Sequence, residues 1–137
     1  MKGNIYLSYS GRNCEAVLQV MEAVIREGFG LVCDCMLPAH ESFDARVTRG
    51  IKDAKLVIAV MTADAIGCEY MDRELEIALE TGARILPIVV GHAALPEKYE
   101  KLLRAMELCY VSEYPTETEM ATVRNRIYFI LKNYEGT

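Results

Sequence analysis

The sequence has no long hydrophobic run and no excess of positive charge, and each absence removes a class of function. Its longest apolar stretches, Leu56–Met61 and Ile85–Val90, are six residues each, whereas a membrane-spanning helix needs about 20. Fifteen basic against 20 acidic residues give a net charge of −5, the wrong sign for a general nucleic-acid binder. The opening Met-Lys-Gly-Asn-Ile-Tyr lacks the apolar core of a secretory signal. Neither nucleic acid nor a membrane is therefore expected as a partner, and the expected location is cytoplasmic. No linker rich in Pro, Gly or Ser divides the 137 residues and no repeat is visible, which predicts one domain spanning 1–137. A chain of this length buries roughly 70% of the surface it exposes when unfolded, enough for a core without staples.

Several chemistries lack their motifs. There is no GxGxxG or GxxxxGK phosphate loop and no GxSxG nucleophile elbow. The two histidines, His40 and His92, have no serine or cysteine at a telling spacing; both read as loop residues, and His40 is less easily set aside because its loop faces the ligand crevice. Five cysteines (Cys14, Cys33, Cys35, Cys68 and Cys109) are an odd number, spread through apolar segments. They read as reduced thiols of a cytosolic core rather than as a disulfide framework. Cys33 and Cys35 share one face of a strand, but no second pair or nearby histidine completes a ligand set. No metal site is expected.

What is present is an alternation of periods. Ile5 to Tyr9 reads as a strand, and Asn13 to Glu27 as a helix with Cys14, Val17, Leu18, Met21, Val24 and Ile25 inward and Gly28 as its stop. Phe29 to Asp34 is a second strand. Ser42 is placed to cap a helix in which Phe43, Val47 and Ile51 recur at every fourth residue. Leu56–Met61 and Ile85–Val90 look like buried parallel strands, separated by a helix from about Cys68 to Thr81 that ends at Gly82. A helix from Pro96 to about Glu107, a strand from Leu108 to Val111 and a helix near Thr116 to Asn133 complete the chain.

Five strands alternating with five helices predict an α/β fold: a five-stranded parallel sheet with helices on both faces. A flavodoxin-like three-layer sandwich of order 2-1-3-4-5 suits these lengths, and its ligand crevice lies beyond the carboxyl ends of strands 1 and 3. The loops there run from Ser8 to Arg12, Asp34 to Glu41 and Thr62 to Tyr70. The first, Leu7-Ser8-Tyr9-Ser10-Gly11-Arg12, offers hydroxyls, a guanidinium and a helix N-terminus, which suits a phosphate or carboxylate; a capping serine in a plain strand-to-helix turn explains it as well. After the third loop, Tyr70 and Glu74 are four apart and share a helix face that continues into Ile77 and Ala78. An acid on an apolar stripe is out of place unless it is partnered or functional. A favourable interaction with the helix dipole is the plain alternative, and Glu69, Asp72 and Glu76 would serve that role too.

Taken together, these segments resemble the Toll/interleukin receptor (TIR) domain over nearly the whole chain. Ile5-Tyr6-Leu7-Ser8-Tyr9-Ser10 is similar to the family's first box, and Gly28 to Asp34 to its second strand with the terminal acid. Leu37-Pro38 through Ser42-Phe43, then Ile51 to Ile58, resemble the long loop, the next helix and strand 3. Tyr70-Met71-Asp72-Arg73-Glu74-Leu75 resembles Trp-Cys-x-x-Glu-Leu, with tyrosine for tryptophan and methionine for cysteine. Ile85 to Ile88 is similar to strand 4. The long loop reads Pro-Ala-His-Glu-Ser-Phe, without the family's usual glycine.

The resemblance implies an NAD+ glycohydrolase that releases nicotinamide and ADP-ribose in defence or cell-death signalling, with Glu74 as the catalytic residue. An NAD+ cyclase making a cyclic ADP-ribose isomer, or a non-catalytic interaction module, is implied by other members. NAD+ would be substrate, with no cofactor. The resemblance further implies that Ser8, Tyr9, Ser10, Gly11, Arg12, Asp34, Leu37, Phe43 and Tyr70 contact the substrate. It implies self-association through contacts that include the loop Leu37 to Phe43, and an upstream sensor or downstream effector protein as partner.

Overall fold

The computed structural model describes residues 3–9, 14–34, 40–63, 66, 68–91, 95, 97–103, 106 and 108–135, the side chains of 98, 101, 102 and 133–135 excepted. Its elements are β1 (Asn4–Ser8), α1 (Glu15–Arg26), β2 (Gly30–Val32), α2 (Phe43–Lys52), β3 (Ala54–Met61), α3 (Glu69–Glu80), β4 (Ile85–Val90), α4 (Glu97–Leu103), β5 (Cys109–Val111) and α5 (Glu117–Glu135). The strands form one parallel sheet of order β2-β1-β3-β4-β5, as expected. Order reverses at β1, so the gap between the β2 and β3 connections opens beyond the carboxyl end of β1.

Side-chain alternation divides the core into two faces. Ile5 and Leu7 of β1 pack with Leu56, Ile58 and Val60 of β3 against α1 and α5. Tyr6 and Val57 point the other way, with Val47 and Ile51 of α2 and Ile77 and Ala78 of α3. Ala59 and Met61 meet Met71, Leu75, Tyr99 and Leu103 on the same side, further along the sheet. Covered on both faces, β3 has no polar side chain after Lys55, and its last six residues are all buried. That is why it reads as a continuous apolar run.

Two helices end as their glycines predict. Gly28 at φ 92° and Gly82 at φ 72° adopt the left-handed conformation that glycine tolerates. Behind them Phe29 N–H reaches Val24 O at 3.3 Å, and Ala83 N–H reaches Ala78 O at 2.9 Å, satisfying carbonyls the helices leave open.

The structure corrects the expected inner face of α1. Its buried residues are Ala16, Val17, Val20, Ala23 and Val24, while Leu18 and Ile25 are 54% and 59% exposed. Alanines at 16 and 23 let the helix sit close to the sheet, and each exposed residue lies one step around the helix from a buried valine. The capping position of α1 falls on Cys14, which makes no side-chain cap, rather than on a serine. The strands are also shorter than their apolar segments, β2 and β5 having three residues each, because edge strands pair only where a neighbour faces them. In α5, Met120, Val123, Ile127 and Leu131 are buried as expected. Cys35 lies outside the described residues.

Candidate active site

Four elements deliver side chains to the carboxyl end of the sheet. β1 carries Tyr6 and, two residues on and on the same face, Ser8 at its final position. Asp34 follows the end of β2 by two residues. Phe43 opens α2, where Ser42 caps the helix by accepting from Ala45 N–H at 3.2 Å. Tyr70 lies in the first turn of α3 and Glu74 one turn later.

Asp34 is held by Arg46 of α2: Nε donates to Oδ1 at 2.6 Å, and Nη2 reaches Oδ2 at 3.4 Å. The same guanidinium lies 5.5 Å from the centre of the Phe43 ring, within range of a cation–π contact. Phe43 in turn packs on Tyr70, with centroids 5.3 Å apart and planes inclined by 55°, a geometry that suits the ring quadrupoles. Asp34, Arg46, Phe43 and Tyr70 thus form a continuous rim from β2 across α2 to α3. A second tie joins the same two helices: Arg73 Nε and Nη2 donate to Asp44 at 3.1 and 2.9 Å, and Nη1 reaches Glu76 at 3.1 Å. The Arg73 guanidinium holds the Asp44 carboxyl below its ordinary range.

Glu74 is the buried acid of this site, 6% exposed, whereas Tyr70 on the same helix is 66% exposed. The two are four apart, but Tyr70 packs one side of its ring on Phe43 and leaves most of its surface exposed. Glu74 is joined on its helix face by buried Met71, Leu75, Ile77 and Ala78. Burial pushes its carboxyl up to about 7 from an ordinary 4.5. The hydroxyls of Tyr6 and Ser8 oppose that rise by favouring the charged form, and the negative charge of Asp34 adds to it. Buried beside this acid, the Tyr6 phenol is pushed well above its usual value, by burial first and Glu74 next, so it remains a donor. Glu74 Oε2, Tyr6 Oη and Ser8 Oγ are buried and close no hydrogen bond among the described residues.

The structure therefore brings together Ser8, Asp34, Phe43, Tyr70 and Glu74. Tyr9, at the end of β1, is half-buried and packs against the core on the α1–α5 side, away from this face. Ser10, Gly11, Arg12 and Leu37 lie outside the described residues. Tyr6 and Arg46 were missed as site residues. Strand alternation from Ser8 could have found Tyr6, which instead reads as one more apolar strand position; no sequence signal pointed to Arg46. Among the described residues no group of three or more His, Cys, Asp or Glu is arranged to hold a metal ion.

A family model described as "TIR domain" matches residues 5–124, from β1 into α5. The chain is a TIR domain. Solved structures agree with this at the level of fold. The TIR domain of the Toll-related receptor TRR-2 from Hydra magnipapillata superposes with a TM-score of 0.69 at 19% identity, covering 93% of this chain and 95% of that one. The TIR domains of the activated Roq1 resistosome give 0.53 at 14%, covering 95% and 84%. A flavodoxin-like domain from Synechococcus sp. gives 0.61 at 9%, covering 98% and 100%. No curated protein matched. The flavodoxin-like neighbour shows that the sheet order alone does not specify a chemistry. No helix among the described residues is long and apolar enough to cross a membrane.

Proposed function

We propose that this TIR domain is an NAD+ nucleosidase in which Glu74 acts on the nicotinamide–ribose bond. The observation that carries the reading is a single acid, buried at the carboxyl end of the sheet with one oxygen unpartnered among the described residues, beneath an aromatic rim. Ordinary glycosidases use two carboxyl groups because a poor leaving group must be protonated. In NAD+ the leaving group is a pyridinium cation. When the C1′–N bond breaks, its electron pair stays on the ring nitrogen and nicotinamide departs neutral, so no general acid is needed. The positive charge that develops on the ribose is what needs stabilising. One carboxylate in a water-poor site does this more strongly than it could in bulk solvent.

Capture of the ribosyl cation completes the reaction. Water, losing a proton, gives ADP-ribose; a nitrogen of the adenine in the same molecule gives a cyclic isomer. Glycohydrolase is the primary reading, and cyclase chemistry would use the same Glu74. The aromatic rim supplies flat surfaces on which a nicotinamide or adenine ring can stack, with Phe43 and Tyr70 parting to admit it. Ser10, Gly11 and Arg12 are proposed near the pyrophosphate and Leu37 along the long loop.

The domain is further proposed to work as an assembly with contacts that include the loop Leu37 to Phe43. Exposed Tyr110, Tyr114, Tyr128 and Phe129 are the surface feature that favours an interaction role. A defence or cell-death signalling setting, in the cytoplasm and with a separate sensor or effector protein, completes the proposal.

The test is NAD+ consumption by concentrated protein, products separated by chromatography and identified by mass, with Glu74→Ala measured in parallel. Nicotinamide release that disappears in a folded Glu74→Ala variant is the expected result. Equal rates for the two proteins would overturn the assignment of Glu74, and no turnover by concentrated wild type would favour the interaction module.

A further inference from the structure

Tyr6 has no role in the reading above, yet it is the most deeply placed polar side chain beside the acid. It stands in the middle of β1, fully buried between α2 and α3. A phenol in such a position normally finds a partner for its hydroxyl. Tyr6 Oη has none among the described residues, nor has Ser8 Oγ on the same strand face, nor Glu74 Oε2. Tyr6 packs against Ile77 and Ala78, which share a buried helix with Glu74, and both hydroxyls bear on the acid, so these three buried polar atoms are better explained as one unit than as three separate lapses. Two of them belong to hydroxyls, which can donate; the third belongs to a carboxylate, which can only accept. The hydrophobic cluster around Tyr6 is made by Val57, Val47, Ile51, Ile77 and Ala78. Among the described residues the charged group that bears on the acid is Asp34, after the end of β2, and Asp34 is itself paired with Arg46 on α2.

We propose that Tyr6 is a positioning residue for Glu74, its hydroxyl donating to the carboxylate from beneath, together with that of Ser8, so that the acid stays ionised and fixed in orientation inside an otherwise apolar pocket. The phenol suits this task. It is too deeply buried to ionise beside a carboxylate, so it offers a proton at every working pH. The proposal rests on the nucleosidase reading for its functional consequence, although the pairing itself does not.

The experiment uses the full chain with carbon-13 in the glutamate side-chain carboxyls, the Glu74 signal being assigned by its absence in Glu74→Gln. Tyr6→Phe keeps the ring and its packing and removes only the donor. The Glu74 midpoint, about 7 in wild type, is expected to rise by about one pH unit in Tyr6→Phe, a roughly tenfold change in ionisation. The acid limb of the NAD+ cleavage profile moves by the same amount. Ser8→Ala, which also preserves the backbone, is expected to move both in the same direction. A Glu74 midpoint that stays put or falls in Tyr6→Phe overturns the proposal whether or not the protein cleaves NAD+. A midpoint that rises in a protein with no cleavage supports the pairing and sinks the nucleosidase reading alone.

Discussion

Replacing Glu74 by glutamine should stabilise this domain, and by an amount that depends on pH in one direction only. The carboxyl rises from an ordinary 4.5 to about 7 on folding, chiefly because it is buried. Between those values the folded chain holds a proton that the unfolded chain has released, so stability falls as pH rises across the interval. Below 4.5 both states are protonated and nothing is lost; above about 7 both are ionised and the loss is complete. A gap of about 2.5 at about 1.4 kcal/mol for each pH unit amounts to about 3 kcal/mol. Glutamine has the same shape and carries no charge, so Glu74→Gln escapes the loss. For a domain of this size about 3 kcal/mol corresponds to roughly 10 °C in Tm. Thermal melts of both proteins by circular dichroism, from about pH 4 to about pH 9, are the assay. The two should melt together at the acid end, and the variant should lead by most of that margin at the alkaline end. A margin independent of pH, or one that shrinks as pH rises, would refute the account of Glu74 as a buried acid ionised at a cost to the fold. The expected trade of stability for a charged group in an apolar site is characteristic of catalytic residues.

Other consequences follow from single contacts. Ser42→Ala removes the cap of α2 and should cost about 1 kcal/mol, read from the shift in a urea unfolding midpoint. Arg46→Ala leaves Asp34 without its partner, so the negative field at Glu74 grows. The Glu74 midpoint should climb above its wild-type value, and, under the nucleosidase proposal, KM for NAD+ should rise as Phe43 loses the guanidinium beside it. Glu119, in the first turn of α5, accepts from the N–H groups of Thr116 and, just after β5, Ser112, which lowers its carboxyl. Its contribution is present above the ordinary carboxylate range and is lost as pH falls through the lowered value. Glu119→Gln should therefore be less stable than wild type at neutral pH, with the two melting curves converging in acid. Ile58→Ala, at a fully buried position of β3, should cost about 2–5 kcal/mol and lower Tm by roughly 6–15 °C.

Much of the fold is legible in the sequence because its signals are local. Apolar runs mark β3 and β4, Gly28 and Gly82 end α1 and α3, and Ser42 caps α2. The right-handed crossover then leaves few ways to assemble such a string. Local pattern failed where the answer depended on what lay opposite. Leu18 and Ile25 are as apolar as Val17 and Val24, and only the approach of α1 to the sheet decided which pair was covered. β2 and β5 are shorter than their apolar segments because an edge strand is confined to the residues that pair with its single neighbour, three in each case.

The site divides in the same way. Glu74 stood out in the sequence because an acid on an apolar helix stripe conflicts with its own surroundings, and a conflict of that kind is visible in one dimension. Its environment was not. Whether an acid in the second turn of a helix is solvated or buried depends on which side chains the sheet presents to it, and these come from residues about 70 positions earlier in the chain. Tertiary structure alone placed the Tyr6 and Ser8 hydroxyls beneath the carboxyl, set Asp34 near enough to raise it, and gave Asp34 to Arg46 across 12 residues of chain. Sequence periodicity determines which face of an element is apolar. The strength of a charge depends on distance and on the dielectric around it, and both exist only once the elements have packed.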